Sequence, residues 1–511
     1  MKKKLFLSVS MLIILTLVFS STVMAIGGTV ITLDKKAVML AVGKSTTVHA
    51  DITSSASTTK GVIWSSSNSN VAKVNSDGVI TAVKEGAATI KAKASDSSIY
   101  ARCSVTVFSA DIAASAAANG TAITFWYCYT DKIQENNINL TKEFNETEGK
   151  AKGITVTAEY QGDYPTMSQK LKAAFVAGSA PAVAVMDTSM LQPFAASKVL
   201  LPLDPYINRD NYGLDDFQPS FLTDSEFGGR IYSLPYLRST PVLYLNTTIL
   251  KKAGLDPNGP ETLEELAVYA KTIKEKTGKF GLSIFADAWL FQTFMMGQGS
   301  SLYNDTVTST FINTPAAKKI IGLVSDMRDN GSARILASSQ ASTILADVAS
   351  QNCGMWFYST GGLTSFMALA QKNGFGVTAA YIPKGIQNSL PTGGANLVAT
   401  SRLTDAQKEA AWQFIKWMTQ KEQTIKASTT TGYLPSRISA ANDSAMQSLY
   451  KTAPPFKVAM DQLKYAGGRT ASATEANAEI VKALDAIWVN RQDVDSTLFE
   501  LQGKINKMLK K

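Results

Sequence analysis

The residue types that usually carry out covalent chemistry are scarce in this sequence of 511 residues. It contains one histidine, His49, which lies in a strand-rich N-terminal segment, far along the chain from the larger C-terminal part. A Ser-His-Asp or Cys-His arrangement therefore cannot be assembled in that larger part. HExxH, the GxxxxGK[ST] phosphate loop and a GxGxxG turn after a strand are also absent. We expect no enzyme activity, no catalytic residue, and no metal or other cofactor.

A pair of carboxylates, as used by glycosidases, remains an alternative because their separation in space is not visible in a sequence. The acidic residues of the larger part mostly fall on amphipathic helical patterns. On such helices, charged side chains ordinarily form the solvated face. A glycan-cleaving enzyme is therefore a rival hypothesis rather than the main one.

Side chains suited to binding a sugar or polyol recur at the ends of predicted strands and helices. A binding cleft of that kind needs flat rings for the sugar face and fixed donors and acceptors for its hydroxyls. Two of the candidates, Asp187 and Thr188, end an apolar run, at the edge where open α/β sheets bind ligands. Core packing remains the alternative for each aromatic candidate. The full set is Trp126, Tyr127, Tyr164, Asp187, Thr188, Trp289, Ser359, Thr360, Gly361, Gly362, Gly393, Gly394 and Tyr433.

Hydrophobic periodicity predicts the elements that must position these residues. Apolar runs at 123–128, 153–158 and 182–186 alternate with helical patterns, which predicts parallel β-α-β units and an α/β lobe. Residues 250–390 predict a mostly helical second lobe, whereas 202–217 predicts loops. The predicted helices are 131–145, 262–277, 286–297, 315–330, 339–351, 405–426, 475–489 and 494–509.

The segment 229–246 predicts a passage between two compact bodies, because two short apolar runs flank a polar stretch bounded by Pro235 and Pro241. A Gly-hinged return passage is predicted near 391–396, and both passages are candidate hinges. The predicted fold is therefore a helix-rich α/β fold with two discontinuous lobes. Lobe 1 takes residues 122–237 plus 395–432, and lobe 2 takes 243–390 plus much of 440–511.

The first 121 residues predict three further segments. Lys2–Lys4, an apolar run and small residues before Ala25 predict a signal peptide over 1–25, with an uncleaved anchor as the alternative. Residues 28–108 contain short alternating runs with turn residues between them, which predicts a small β-sandwich. The Ala-rich stretch 109–121 predicts a linker. We therefore expect a secreted, extracellular or cell-surface protein, with no cysteine near the cut to carry a lipid.

Charge and cysteine content exclude other classes. The formal net charge is +9, but several of the lysines sit at the two chain ends, and no aromatic-interleaved basic motif predicts nucleic-acid binding. Cys103, Cys128 and Cys353 are isolated, so they predict neither a disulfide framework nor a zinc site. We expect three small buried apolar side chains, and a monomer.

Several landmarks occur in an order that resembles a known family. They are FWYCY at 125–129, GDYPTMSQKLKAAFVAGSAPAVAVMD at 162–187, GRIYSLPYLRSTPVLYLN at 229–246, WFYSTGGL at 356–363, TGGANLV at 392–398 and TTGYLPSR at 430–437. They are similar to extracellular solute-binding proteins of ABC importers, within the glycerol-3-phosphate and sugar-binding branch, over residues 121–511. Residues 62–94 are likewise similar to the bacterial Ig-like group 2 module.

The resemblance implies a periplasmic-binding-protein-like fold whose lobes close on a small ligand and deliver it to a membrane permease pair. It implies ligand contacts by Tyr164, Thr188 or Asp187, Ser239, Trp289, the 359–361 turn, Gly394 and Tyr433. The glycerophosphate binders of this family carry an arginine that faces the phosphate, where this chain has Asn477, and the nearest arginine is Arg469. A buried phosphate without a charge partner is costly.

The main hypothesis is therefore capture of a carbohydrate-like solute, a neutral sugar or oligosaccharide. The first alternative is a receptor for glycerol-3-phosphate or a glycerophosphodiester. An alternative of another class is a wall-attached surface adhesin or sensor that uses the Ig-like segment as a spacer or for cell-wall contact.

Overall fold

The computed structural model describes residues 30–35, 37–53, 61–95, 99–108, 120–304, 307–467 and 474–509. The chain divides into two compact units between Phe108 and Ser109. The predicted leader over 1–25, and the predicted linker except for its last two residues, fall outside the described residues. Within the described part of the chain, no helix has the length and apolarity needed to cross a membrane.

The first unit is built from short strands, as predicted. Its strands are β1 Val30–Leu33, β2 Ala37–Ala41, β3 Ser45–Thr47, β4 Ala50–Thr53, β5 Val62–Ser66, β6 Ala72–Val74, β7 Val79–Ala82, β8 Gly86–Ala94 and β9 Tyr100–Phe108. They form sheets of order β2-β9-β8-β5, β3-β7-β6 and β1-β4. Alternating side chains such as Ile90, Cys103 and Val105 are buried in the shared core. Trp64 packs against this core and is partly buried.

The second unit contains the larger part of the chain. Its strands are β10 Thr121–Tyr127, β11 Ile154–Tyr160, β12 Val183–Asp187, β13 Glu226–Phe227, β14 Arg230–Ile231, β15 Ser233–Ser239, β16 Pro241–Asn246, β17 Phe280–Phe285, β18 Ala333–Leu336, β19 Cys353–Ser359, β20 Val377–Ala380 and β21 Gly393–Ala399.

The helices of this unit lie between and after these strands. They are α1 Asp131–Glu146, α2 Glu148–Lys152, α3 Tyr164–Ala177, α4 Leu191–Ala196, α5 Asp204–Arg209, α6 Pro219–Leu222, α7 Thr247–Lys252, α8 Leu263–Thr277, α9 Ala288–Gly297, α10 Pro315–Asp329, α11 Thr343–Ala349, α12 Leu363–Asn373, α13 Asp405–Met418, α14 Lys421–Thr431, α15 Ile438–Ala441, α16 Ser444–Thr452, α17 Pro454–Gln462, α18 Thr474–Trp488 and α19 Val494–Met508.

Two five-stranded sheets organise the second unit into two lobes. The first has the order β11-β10-β12-β21-β15 and the second the order β18-β17-β19-β16-β20. Strands β11 and β12 both run parallel to β10, which confirms the predicted β-α-β arrangement. Each sheet separates two apolar clusters, so each lobe has the helix–sheet–helix layers of an α/β fold.

The predicted passage between the lobes is confirmed. Strand β15 belongs to the first sheet and β16 to the second, and Thr240 alone lies between them. The chain returns between β20 in the second sheet and β21 in the first. The C-terminal helices α18 and α19 pack in the core of the second lobe, with Ile480 and Leu498 fully buried.

Two predictions about elements are wrong. The single long helix over 405–426 is two helices, α13 and α14, because the Thr419 carbonyl between them accepts hydrogen bonds from Arg437 Nε, at 2.5 Å, and from the Tyr212 hydroxyl, at 3.2 Å. The turn-rich segment 202–217 contains the short helix α5 as well as loops. The buried Asp204 carboxylate at its start accepts a hydrogen bond from Ile231 N.

Candidate functional site

A cavity of about 750 Å³ opens between the two lobes. Its wall includes the last residues of β12, β15, β17 and β19, which come from both sheets. The sequence-predicted residues that line it are Tyr164, Asp187, Thr188, Ser239, Trp289, Ser359, Gly361, Gly362, Gly393, Gly394 and Tyr433. Segments far apart in the chain therefore meet at one hollow, and we call it the interlobe cleft.

Three predicted residues do not line the cleft, which corrects the sequence-based placement. Tyr127 lies on the buried side of β10, where its ring packs near Phe125 and Tyr160. The Trp126 side chain lies on the opposite face of β10, and its Nε1 donates to Glu159 Oε2 at 2.8 Å. Thr360 is fully buried, and its hydroxyl oxygen accepts from Thr240 N at 3.3 Å.

Other residues that line the cleft were not among the predicted ligand contacts. Tyr129 lies two residues beyond the end of β10, and Asp287 precedes α9. Asp287 is recognisable in hindsight as a helix N-cap, because its Oδ1 accepts from Leu290 N at 2.7 Å. The remaining polar or aromatic residues of this group are Thr130, Asp131, Lys132, Ser189, Asp224, Phe285, Gln292, Ser342, Phe357, Tyr358, Ser365, Phe366, Thr392 and Asn477, of which only Asn477 had been considered, as a departure from the family.

Two rings of the cleft wall, those of Tyr164 and Trp289, lie in the first turn of a helix. Tyr164 is the first residue of α3, where Asp163 Oδ1 accepts from Thr166 N at 2.9 Å and fixes the first turn. Trp289 is the second residue of α9, and its Nε1 donates to the Thr392 carbonyl at 3.2 Å. The Nε1 bond holds the Trp289 ring in a defined orientation, as flat-faced ligand recognition requires.

Glycine is required at Gly394 on the return passage and at Gly361 in the turn after β19. A Cβ on Gly361 would lie 2.6 Å from Tyr433 Cζ, so a side chain there would displace that ring. Gly394 has φ of +86°, and a Cβ there would lie 2.1 Å from the Leu237 carbonyl oxygen. Both positions let backbone and ring approach closely at the cleft wall.

Tyrosines form one side of the cleft. The rings of Tyr129 and Tyr164 pack edge to face, with centroids 4.8 Å apart. Tyr129 has a φ of 66° and Asp131 a φ of 60°, a conformation that non-glycine residues rarely adopt and that concentrates at binding sites. Burial raises the pKa of Tyr433 to about 12, partly offset by its hydrogen bond to Tyr164. The pKa of Tyr164 is also raised by burial, so both hydroxyls stay protonated at neutral pH.

Arg238 joins the two passages behind the cleft. Its side chain is fully buried, and all five N–H groups are used. Its Nη2 donates to Asp224 Oδ2 at 2.6 Å and to Thr392 Oγ1 at 2.9 Å. The other three donate to Gly393 O, Phe221 O and Asn396 Oδ1, at 2.9–3.0 Å. The guanidinium is therefore committed to the protein itself and has no N–H group left for a ligand.

The described part of the cleft wall is acidic. Its charged residues are Asp131, Lys132, Asp187, Asp224 and Asp287, and Lys132 is 2.7 Å from Glu135. Burial raises the pKa of Asp187, opposed by hydrogen bonds from Ser189 and by the charge of Arg238. Burial also raises the pKa of Asp287, opposed by the N–H groups of Leu290 and Trp289. Most charged groups of this part of the wall are therefore carboxylates, which can accept hydrogen bonds from a ligand.

Asn477 lies in the cleft wall, on α18. Its Oδ1 accepts from the Tyr303 hydroxyl at 2.6 Å. Arg469, the nearest arginine in sequence, is outside the described residues. Among the residues that the structure describes, no group of three or more histidine, cysteine, aspartate or glutamate side chains is arranged to hold a metal ion.

The family comparison agrees with this geometry. Residues 139–457, more than half of the chain, match the family described as bacterial extracellular solute-binding protein. The chain belongs to this family. Residues 29–105 match the bacterial Ig-like domain (group 2), which agrees with the β-sandwich of the first unit. This solute-binding protein is therefore the extracellular substrate-binding component of an ABC transporter, and the proteins of its family bind small solutes rather than transform them.

Relatives of the second unit are named for a phosphorylated polyol. The chain is 29% identical over 354 residues to the sn-glycerol-3-phosphate-binding periplasmic protein UgpB of Brucella melitensis, covering 65% of this chain and 79% of that protein. It is 27% identical over 402 residues to UgpB of Yersinia pseudotuberculosis, covering 74% and 90%.

Solved structures match the same part of this solute-binding protein. UgpB from Mycobacterium tuberculosis in complex with glycerophosphocholine has a TM-score of 0.69 and 26% identity, covering 76% of this chain and 98% of that one. The GacH receptor of Streptomyces glaucescens has a TM-score of 0.68 over the same fractions, and its 21% identity indicates a shared fold only. The predicted two-lobed periplasmic-binding-protein-like fold is confirmed.

Proposed function

We propose that this solute-binding protein captures an uncharged, carbohydrate-like solute, a sugar or oligosaccharide, in the interlobe cleft. The observation that carries this proposal is the charge of the described cleft wall. Asp131, Asp187 and Asp287 line it, Asp224 is paired with Arg238, and the one lysine, Lys132, is paired with Glu135. Carboxylates accept hydrogen bonds from sugar hydroxyls, while rings such as Trp289 and Tyr164 suit the apolar faces of a pyranose.

A phosphorylated ligand would lack a charge partner in the described cleft wall. Arg238 is fully engaged with Asp224 and with backbone carbonyls, and the α18 position that faces the cleft holds the neutral Asn477. Placing a phosphate beside Asp187 and Asp287 without a cation would cost several kcal/mol. The proposal therefore favours a neutral ligand over a phosphorylated polyol.

The second candidate is a glycerol-3-phosphate or glycerophosphodiester receptor. The observation in its favour is the comparison, because the Brucella and Yersinia relatives carry glycerol-3-phosphate in their names and the Mycobacterium structure contains glycerophosphocholine. Identities of 26–29% leave room for a changed ligand when the charged contacts change.

Closure of the lobes would be the working step. A hinge motion at residues 235–242 and 391–396 would bring the walls onto the ligand, and the closed monomer would then be presented to the membrane permease pair. The Ser365 hydroxyl on α12 donates to Asp131 Oδ2 on α1 at 3.0 Å, a contact that joins the two lobes across the cleft. It supports the idea that the lobes meet directly when closed.

A thermal-shift panel tests the ligand class. We expect stabilisation by at least one neutral sugar or oligosaccharide, by about 2.7 kcal/mol at a concentration near a hundred times Kd, and none by glycerol-3-phosphate or glycerophosphocholine. The reverse pattern would establish the second candidate. Substitution Asn477→Arg should raise affinity for glycerol-3-phosphate, whereas the exposed control Asn490→Arg should not.

We also propose that the protein binds without cleaving its ligand and that a secreted form reaches the cell surface. Labelled oligosaccharide recovered intact after incubation would support binding alone, while released product would favour the alternative of a glycan-cleaving enzyme. The N-terminal mass of secreted protein would test removal of residues 1–25. Uptake and surface retention after deletion of 28–108 would distinguish a spacer from an adhesin or sensor.

A further inference from the structure

One face of the four-stranded sheet in the first unit carries cations and no carboxylate. The strands β2, β5, β8 and β9 contain no aspartate or glutamate. Lys91 and Lys93 alternate along β8 with Ile90 and Ala92, which are fully buried, so both lysines lie on the side away from the core. Arg102 is exposed on the neighbouring strand β9. We call this surface the basic sheet face.

The strand register places these cations side by side. Lys91 pairs directly with Arg102, and Lys93 pairs with Tyr100 on β9 and with Ile63 on β5. Like charges directly opposite each other destabilise an antiparallel sheet, by up to roughly 1 kcal/mol. The fold therefore tolerates two like charges side by side on this face.

Tyr100 organises the cluster. The Lys91 ammonium lies 4.0 Å from the centre of its ring, and the Arg102 guanidinium carbon lies 4.9 Å from it. Arg102 Nη2 also donates to the Tyr100 hydroxyl at 3.0 Å. Within the described residues of this unit, none of Lys91, Lys93 and Arg102 has an ion-pair partner. Tyr100 therefore holds the charges of Lys91 and Arg102 in place, and all three cations are left for an external anion.

We propose that the basic sheet face binds a linear anionic polymer of phosphodiester-linked polyol units in the bacterial envelope. Cations on adjacent strands stand about 5 Å apart, and those two residues apart on one strand about 7 Å, so several contact one extended chain. Repeated phosphodiester charges gain affinity by releasing counterions, which a single phosphate does not. The half-exposed Tyr100 and Ile63 cover the polyol carbons between charges. The extracellular position of the protein selects an envelope polymer over nucleic acid, and the proposal does not depend on the ligand of the interlobe cleft.

The test measures retention of the full-length secreted protein on immobilised synthetic poly(glycerol phosphate) over a range of salt concentrations. Substitution K91Q with R102Q should weaken binding by about tenfold or more at low salt and reduce the slope of log K against log salt by about 2. The matched control, K44Q with K73Q, removes the same charge from exposed lysines outside this face and should change affinity less than about twofold. The pair K91R with R102K keeps the charge and should keep binding.

Four outcomes would overturn the proposal. They are no retention of the unsubstituted protein at low salt, equal losses in the K91Q/R102Q and K44Q/K73Q variants, lost binding in the charge-keeping variant, and equal retention on polyglutamate of the same charge density. The last would mean that any acidic polymer or protein suffices. Unchanged circular dichroism of each variant shows that the sandwich is intact.

Discussion

Arg238 Nη2 donates to Asp224 Oδ2 at 2.6 Å, and the arginine side chain has no contact with solvent. Asp224 accepts a second hydrogen bond, from Thr392 Oγ1 at 2.8 Å. Arg238 lies on the outgoing passage between the lobes and Thr392 on the return passage, so this ion pair joins these two connections at one point. Asp224 is itself part of the cleft wall, so the pair links the stability of the hinge region to the shape of the cleft.

Removing one partner of this pair should be costly. Asp224→Asn would leave a buried guanidinium without its counter-charge, and we expect a loss of about 3–5 kcal/mol in the free energy of unfolding. Denaturant unfolding measures it. The matched control is the exposed ion pair of Lys457 with Asp461, where Lys457→Ala should change stability by less than about 1 kcal/mol. Equal effects at both sites would contradict the structural role assigned to Arg238.

Gly394→Ala should destabilise the return passage. The substitution imposes a Cβ at a φ of +86° and within 2.1 Å of the Leu237 carbonyl oxygen, so strand β21 must shift against β15. We expect a loss of about 2–4 kcal/mol, read from thermal unfolding. Gly322→Ala on α10, where nothing lies within 4 Å, should instead stabilise by about 0.5–1 kcal/mol.

Trp289→Ala should weaken ligand binding without unfolding the protein. The ring lines the cleft, and its loss removes a flat contact worth about 1–3 kcal/mol, or roughly a 5- to 150-fold rise in Kd. Titration calorimetry with the ligand found in the panel measures it. Trp126→Ala serves as control, because Trp126 lies outside the cleft, and its effect on Kd should stay within about twofold.

Ser365→Ala should shorten the lifetime of the closed complex. The variant loses the hydrogen bond to Asp131 that spans the lobes, worth about 0.5–1.5 kcal/mol. The effect should appear in the dissociation rate, which would rise by a few-fold to about tenfold in stopped-flow measurements. Ser350→Ala removes a hydroxyl bonded within its own helix and should leave the rate unchanged.

Asp204 should make stability depend on pH. Burial raises its pKa in the folded state to about 6, well above that of an exposed aspartate, so the folded protein binds this proton more tightly than the unfolded chain. Its contribution to stability is then complete below about pH 4 and is lost as pH rises through about 6, by about 1–3 kcal/mol. Asp204→Asn should flatten that part of the unfolding curve. An unchanged slope between pH 4 and 6 would contradict this.

Long periodic segments were predicted closely, because local pattern and final fold agree there. The helix predicted at 262–277 is α8, whose N-cap Thr262 accepts from Glu265 N at 3.1 Å. The break between α13 and α14 could not be predicted, since Tyr212 and Arg437 create it from distant parts of the chain. Long-range hydrogen bonds of this kind leave no local signal.

The lining residues of the cleft were predicted where they lie at strand ends. They were missed where an unusual backbone conformation brings them to the wall. Asp187 and Ser359 follow from the rule that sheets bind ligands at strand ends. Tyr127 was predicted as a ligand contact and Tyr129 was not, because alternation along β10 does not show where the strand stops. The positive φ of Tyr129 turns its ring towards Tyr164, and that torsion depends on tertiary contacts. The ligand roles of all these residues stay predictions until a complex is measured.

Thr240 is the whole connection between β15 and β16, and its backbone is bonded to Thr360 in both directions. A link of one residue has no slack, so the lobes cannot slide apart and can only swing about a few torsions. The direction of this hinge rotation is then set by the protein backbone rather than by the ligand. The lobes would therefore close by the same motion on solutes of different size. Changes in the lining side chains alone could then change which solute is bound.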